Sequence, residues 1–562
     1  MSSRVIESSP KLSRVVSTLL NHPLLLVVAA AAALMAPAVV FGIPSNLDLT
    51  NHFRFALPFY DSIQAGNLYP GWLADSNGGY GDASFRFYPP ALYYLLTAFR
   101  FLIGNWYDAS LVTFGLVFCL GAVGIYYWAR SLFSPGVAAC AAVLFSAAPY
   151  HLNQFYQATL LAEFAACSVL PFAFWQLEKI CQRQSLRNVA GLAVAFSLLV
   201  LTHLPLTVIG SIALSVYGFV RLRRSVWKRS LLLMVCGAAL GLLASACFWI
   251  TLLAEKSWIR ADQIKPLPSV DFRKNFVFST FSPENLNVWW MNLLVFFSFA
   301  LFCPALILLH RNTRKLLGHH TVSLIVLFLF SLAMSTMLAW PIWALVKPLQ
   351  ETQFPWRWLG ILSMFGSLIT AAAIPEWRKH TSGRLRPLCL IVMSGMLVSL
   401  AFSSSHIIRE ANFFPPKQFN DTLATIPGTN SVRQWLPVWA SDAPEQMDEQ
   451  VSSKTRAVRI SDWQPERRVF TVGEGIEQQA KIKTYYYPHW KAFADGNELS
   501  VTPAEDGAIL VSLPKEAATV TLQFVEPTRT RVAALLSMAG WVLIAITFLA
   551  GCFSKNTPLH TT

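Results

Sequence analysis

Residues 206–229 read LTVIGSIALSVYGFVRLRRSVWKR, fifteen mostly apolar positions followed by five cations within nine. The first part suits lipid, and the second suits the aqueous face of a membrane. A spanning helix needs about 20 mainly apolar residues, and comparable runs recur along the chain. They lie near 23–42, 109–128, 135–149, 159–177, 188–204, 206–220, 231–253, 291–309, 321–345, 357–374, 387–403 and 531–551. The chain therefore reads as a polytopic α-helical membrane protein of about twelve spans. A shorter stretch, Ala91–Ile103, carries Arg100 inside it and reads as a helix lying along the membrane surface.

Composition agrees. Of 562 residues 54% are hydrophobic and 13% charged, with a mean hydropathy of +0.46, whereas soluble domains carry about 25% charged residues. Disorder, collagen, coiled coil and a small disulfide scaffold are excluded. The net charge of +14 does not point to nucleic acid, because the cations cluster in short loops between apolar runs. The expected partner is the lipid bilayer. The nine cysteines lie in or beside apolar segments and follow no disulfide or zinc-ligand spacing, so they read as inert buried thiols.

The same cations set the orientation. The arm with Arg4, Lys11 and Arg14 shares one side with Lys179, Arg183 and Arg187, the 221–229 run, Arg311, Arg314 and Lys315, and Arg378, Lys379, Arg384 and Arg386. Positive-inside bias makes that side cytoplasmic and places both termini there. If Ala91–Ile103 crossed, the later basic loops would fall outside. The first run contains the cleavage-like Ala36-Pro37-Ala38, but its apolar core exceeds a signal peptide's usual length, so it reads as an uncleaved span.

Two polar regions then lie outside, residues 43–108 and 404–530. The second holds 16 acidic and 13 basic residues, more than half of all the acids, and is a solvated domain. Its segments Arg468–Val472, Lys481–Tyr487, Ala508–Leu513 and Ala518–Phe524 alternate or are β-branched and aromatic, with turns such as Asp495-Gly496-Asn497 between them. This predicts a small C-terminal extracytoplasmic β-sandwich, separable as a folded unit. Its aromatics Tyr485, Tyr486, Tyr487 and Trp490 either fill its core or bind glycan.

Three clusters could carry chemistry. The first outer loop contains Leu47-Asp48-Leu49-Thr50-Asn51-His52-Phe53-Arg54 and Phe87-Tyr88-Pro89-Pro90. Asp48 at the interface suits a general base for an acceptor hydroxyl, or else the cap of a helix starting at Leu49 or Thr50. His52 shares its face if the segment is helical. The second cluster is Pro149-Tyr150-His151-Leu152-Asn153-Gln154-Phe155-Tyr156, followed by Glu163. A carboxylate within an apolar run is a functional candidate by default, with a bond between helices as the alternative. His151 and His203 fall at outer span ends, as sites or as structural hydrogen bonders. In the third cluster Arg357, between Trp356 and Trp358, either grips a phosphate or snorkels in an aromatic belt. Lys256 and Arg260 offer similar phosphate contacts. A divalent metal (Mg or Mn) on Asp48, His52 and His151 is conceivable, though their spacing follows no ligand motif.

These pieces resemble a known pattern. Asp48 with His52, Gly79-Tyr80-Gly81, Phe87-Tyr88-Pro89-Pro90, Pro149-Tyr150-His151-Leu152, Glu163 and Tyr486-Tyr487-Pro488-His489-Trp490-Lys491-Ala492 resemble the GT-C superfamily of membrane glycosyltransferases. The nearer likeness is to YfhO-like bacterial membrane proteins, including a set labelled 6-pyruvoyl-tetrahydropterin synthase-related. The resemblance implies a GT-C-like domain over 1–403, an outer domain over 404–530, and a last span with cytoplasmic tail over 531–562. It also implies a bacterial inner-membrane location and transfer of a sugar from a polyprenyl-phosphate donor to an envelope glycan or lipid acceptor. Asp48, His52 and Glu163 would be the catalytic set. Arg54, Tyr88, His151, Tyr156, Lys256 and Arg357 would bind substrate. Pterin chemistry is not implied, since no zinc triad is present, and no Asp-x-Asp motif supports metal dependence. Two rival functions stand beside this one: a transporter or flippase of lipid-linked saccharides, and a non-catalytic scaffold for envelope polysaccharide assembly.

Overall fold

A computed structural model describes residues 22–46, 48–261, 270–281, 286–316, 319–380, 386–428, 432–441 and 447–553. Arg4, Lys11, Arg14 and Arg384 lie outside the described residues, as do the side chains of Arg311, Arg314, Lys315, Arg378 and Lys379. The helices, in chain order, are α1 (Pro23–Phe41), α2 (Leu49–Gln64), α3 (Ala91–Ile103), α4 (Trp106–Arg130), α5 (Pro135–Ser146), α6 (Pro149–Tyr156), α7 (Leu161–Gln182) and α8 (Leu186–Thr202). They continue as α9 (Leu204–Arg221), α10 (Trp227–Ala244), α11 (Ala246–Glu255), α12 (Leu286–Leu316), α13 (His319–Ser335), α14 (Trp358–His380), α15 (Arg386–Arg409) and α16 (Thr528–Phe553).

Seven of the described helices are long and apolar enough to cross a membrane, or eight if α5 and α6 count as one span bent by 45°. Pro149 opens α6 at the bend, where its missing N–H breaks the ladder. The chain is thus a polytopic helical membrane protein. The four other expected spans are helical too, but α8 and the apolar parts of α12 and α13 are short. The fourth, α7, holds Glu163, Glu178 and Lys179. Exposure separates interior from periphery: 89% of the most apolar 18-residue window in 355–375 is buried, against 6% of that in α15. The helix expected along the surface, Ala91–Ile103, is α3, and Gly104 ends it in the left-handed conformation.

One strand pair ties the segments that follow α1 and α15 together. Strand β1 (Ile43–Pro44), just after α1, pairs antiparallel with β2 (Phe413–Phe414), just after α15. Gly42 between α1 and β1 has φ +124°, and a Cβ there would sit 2.3 Å from the Phe414 carbonyl oxygen. Only glycine permits that approach.

The C-terminal region forms two antiparallel sheets. One runs β3 (Val451–Ser452), β6 (Gln479–Tyr485), β10 (Ala508–Ser512) and β9 (Val501–Pro503). The other runs β4 (Val458–Gln464), β5 (Arg467–Val472), β11 (Ala518–Phe524), β7 (Trp490–Ala494) and β8 (Asn497–Leu499). The Asp495-Gly496 turn joins β7 to β8 with positive φ at both residues, as a two-residue hairpin requires. All four expected strands form. Strand β4, with polar residues at alternate and adjacent positions, gave no clear signal, and β7 to β9 are short. Tyr485, Tyr487 and Trp490 are buried in the core.

That core is not made by the C-terminal region alone. Trp72, Tyr80 and Phe87 of the segment between α2 and α3 belong to it. The Trp72 ring packs against Tyr487, Trp490 and Phe524, and Tyr485 N donates to the Tyr80 carbonyl at 2.7 Å. This shared packing argues against separability. A fragment of residues 453–527 is expected to lack a cooperative thermal transition by circular dichroism, because it leaves these large aromatic side chains behind. A cooperative melt would show that the strands suffice.

Candidate functional site at the starts of two helices

Asp48 occupies the N-cap position of α2, yet its side chain makes no capping hydrogen bond. Its Oδ1 instead accepts from Asn51 Nδ2 at 3.0 Å, and Asn51 Oδ1 accepts from Arg54 Nη1 at 2.8 Å. The Asp48 backbone N–H donates to Thr159 Oγ1 at 3.0 Å. Thr159, just ahead of α7, has φ +47°, a conformation that a β-branched residue adopts only under strong local constraint. The half-buried carboxylate is thereby held where the starts of α2 and α7 meet.

His52 lies one turn further along α2 and is buried. The Leu161 backbone N–H donates to its Nε2 at 3.2 Å. The ring proton therefore sits on Nδ1 and is donated to Tyr93 Oη, 2.9 Å away. Both nitrogens are used in joining α2, α3 and α7, so His52 positions the site and has no free lone pair. Burial lowers its pKa to about 4, partly opposed by the Asp48 charge. The sign follows from linkage: an unfolded chain protonates this ring near 6.5, and the folded one does not. The stability is present above pH 6.5 and lost as pH falls toward 4, by up to about 3 kcal/mol. Thermal midpoints between pH 7 and 4 should therefore fall more steeply in the wild type than in His52→Gln.

Glu163, buried in the first turn of α7, accepts from Tyr150 Oη at 2.6 Å and Gln154 Nε2 at 2.9 Å through Oε1. Its Oε2 accepts from Arg357 Nε at 2.8 Å. Arg357 Nη1 donates to the Thr352 carbonyl, and the guanidinium lies 4.8 Å from the Phe354 ring centroid. Two candidates 194 residues apart thus form a buried ion pair. Tyr88 stacks on Phe55 at 4.9 Å. Burial raises its phenol pKa, the Asp48 charge adds to the rise, and Arg357 and Glu163 act on it in opposite directions. Asp48, Tyr88, Glu163 and Arg357 therefore share one electrostatic neighbourhood.

Other candidates lie elsewhere. The His151 ring packs among Phe118, Phe145 and Phe164, one residue off the face that turns Tyr150 and Gln154 toward Glu163. The Tyr156 hydroxyl donates to the Leu34 carbonyl, tying α6 to α1. Arg54 lines a cavity with Asp61, Asp75, Ser76 and Asn77, in which burial, together with the Asp75 charge, raises the Asp61 pKa to about 6. Lys256 is exposed. The metal set does not fit: the His52 nitrogens are both engaged, His151 sits in its phenylalanine cage, and among the described residues no three His, Cys, Asp or Glu converge.

Sequence reasoning missed two buried networks. Arg86 Nε and Nη2 donate to Glu255 at 2.5 and 2.8 Å, and Arg86 Nη1 donates to Glu526 at 2.5 Å. Glu255 also accepts from Tyr487 at 2.7 Å and Arg529 at 3.0 Å, with His489 Nε2 3.0 Å away. This network joins the segment between α2 and α3, α11, the sheets and α16. The second pairs Glu178 of α7 with Arg221 of α9 through two bonds of 2.7 and 2.6 Å, and Tyr217 donates to Glu178 at 2.9 Å. The available signal was a charge at or inside an apolar run, which demands a partner.

A description reading 6-pyruvoyl-tetrahydropterin synthase related domain, membrane protein, matches residues 85–412, more than half of the chain. The chain belongs to this family. The matched segment of this PTPS-related protein includes Tyr88, Glu163 and Arg357, while Asp48 precedes it. No curated protein matches. Among solved structures, the cryo-EM structure of the arabinofuranosyltransferase AftD from Mycobacteria is similar at 18% identity and a TM-score of 0.45, over 71% of this chain and 28% of that one. A mutant of the same protein gives 18% identity and a TM-score of 0.42, over 68% and 27%. The PTPS-related chain thus spans little more than a quarter of the length of these structures.

Proposed function

We propose that this PTPS-related protein is a membrane glycosyltransferase of the GT-C type. It moves a sugar from a polyprenyl-phosphate donor to a cell-envelope acceptor, glycan or lipid, on the outer face of a bacterial inner membrane. With the N-terminus cytoplasmic, as positive-inside bias suggests, α1 carries the chain outward, and the starts of α2 and α7, which meet through Asp48 and Thr159, lie on that outer face. The single observation that carries the reading is the Asp48 carboxylate: half-buried, at a helix start, not used as a cap, and linked through Asn51 to Arg54.

In the reaction, Asp48 takes the proton of the acceptor hydroxyl as its oxygen bonds to the anomeric carbon. The bond from that carbon to the phosphate oxygen breaks, and the electron pair leaves with the polyprenyl phosphate. Arg357, oriented by Glu163, stabilises the charge that grows on the departing phosphate. Tyr88 borders the same space, and His52 and Tyr93 hold α2 against α7. Arg54 adds a cation through Asn51. The test is transfer of labelled sugar from a polyprenyl-phosphate donor by the purified protein in nanodiscs. Donor translocation without transfer would favour the flippase reading, and neither activity would favour the scaffold.

A further inference from the structure

His203 belongs to neither of the helices it joins. Its φ of −161° and ψ of 110° are extended, and it caps the N-terminus of α9. The Leu206 backbone N–H donates to its Nδ1 at 3.3 Å. A backbone N–H can only donate, so Nδ1 offers a lone pair and the proton of the neutral ring sits on Nε2. No described residue accepts from Nε2, although His203 is only 8% exposed. Nε2 is not among the fully buried atoms that lack a partner, so this N–H keeps access to an incoming acceptor.

Its surroundings indicate which acceptor. The cation that acts on the ring is Arg357, since His52 is neutral. Helix α8, which ends at His203, packs against α3, the helix of Tyr93. Helix α9, which starts after it, packs against the turn at 347–350 that precedes Thr352 and Arg357. Arg357 gives Nε to Glu163 and Nη1 to Thr352, and no described residue takes its Nη2. Two donors, one neutral and one cationic, thus remain on residues that stand at the starts of the packed helices α9 and α14.

We propose that His203 Nε2–H and Arg357 Nη2 together bind the phosphate monoester of the departing polyprenyl phosphate. This rests on the glycosyltransferase reading and adds the residue that reads the leaving group. The donor is a phosphodiester with one negative charge, and the product is a monoester with nearly two. A pair of hydrogen-bond donors set at this phosphate therefore holds the product, and the transition state leading to it, more tightly than the donor.

His203→Asn separates this role from capping. Asn keeps a short side-chain acceptor at the N-cap, where it is among the best residues, but has no N–H at the reach of Nε2. His203→Gln brings an amide N–H to about that reach. The probe is undecaprenyl phosphate binding to the full-length protein in nanodiscs, with inorganic phosphate as competitor. Hydrogen bonds to charged groups correspond to roughly a ten- to hundredfold change in affinity. His203→Asn is expected to lose that much lipid affinity at a wild-type thermal midpoint, His203→Gln to retain most of it, and inorganic phosphate to compete with lipid in the wild type. Equal lipid affinity in wild type and His203→Asn would overturn the role of His203 alone. No lipid binding by the wild type would overturn the glycosyltransferase reading beneath it. If His203→Asn melts early, His203→Gln decides: retained affinity supports the donor, and a tenfold loss overturns it.

Discussion

Asp48→Asn is expected to lower sugar transfer by about 10²–10⁴-fold, the usual contribution of a positioned general base, with membrane levels and thermal midpoint unchanged. Asn has nearly the same shape and can accept from Asn51 as Asp48 does. It cannot take a proton at neutral pH. Capping does not explain a loss, because Asp and Asn cap equally well and the Asp48 side chain makes no capping bond. The measurement is the initial rate of transfer by purified protein, or the envelope glycan pattern of cells carrying the variant at wild-type levels. Transfer within threefold of wild type would sink the assignment and shift attention to Glu163.

The second large effect concerns stability. Glu163→Gln leaves the Arg357 guanidinium buried without its carboxylate, and Arg357→Gln strands Glu163 in the same way. Removing one partner of a buried ion pair costs about 3–5 kcal/mol, most of it the desolvation of the charge left behind. Each single variant should therefore unfold at markedly lower temperature or detergent load. The double variant, which buries no charge, should recover much of the loss. The coupling energy read from this cycle checks the pair directly. If both single changes fell within about 0.5 kcal/mol of wild type, the smaller effect typical of surface substitutions, the two side chains would not be paired in the membrane.

Much of the fold was legible because apolar periodicity and length are local properties. The run at 206–220 appears as α9, which ends at Arg221, the first residue of its basic tail, and Ala91–Ile103 appears as α3 with the same bounds. Strand Ala518–Phe524 is likewise unchanged. Boundaries moved where polar residues continue a helix by its own hydrogen bonds: α7 runs past the apolar stretch to Gln182 so that Glu178 meets Arg221. The site was only partly legible. Asp48, His52, Glu163 and Arg357 stood out as polar residues where lipid or its interface was expected, but nothing local says that Glu163 and Arg357 touch. His151 attracted attention as a histidine, yet a helix turns about 100° per residue, so the face that carries Tyr150 and Gln154 to Glu163 cannot also carry His151.

By itself, the sequence determined what depends on a residue and its near neighbours. That includes a helical membrane protein, its short basic loops, an antiparallel β region near the C-terminus, and a short set of polar residues out of place in lipid. The tertiary structure alone decided what depends on distant segments meeting. Trp72 completes a core whose strands begin near residue 451. Arg86 joins Glu255 and Glu526. Backbone N–H groups fix the tautomers of His52 and His203. The physical reason is that solvation and helical periodicity act over a few residues and leave a pattern along the chain. The partner of a buried charge or of a ring nitrogen is chosen by packing in space, and many pairings satisfy the same local pattern.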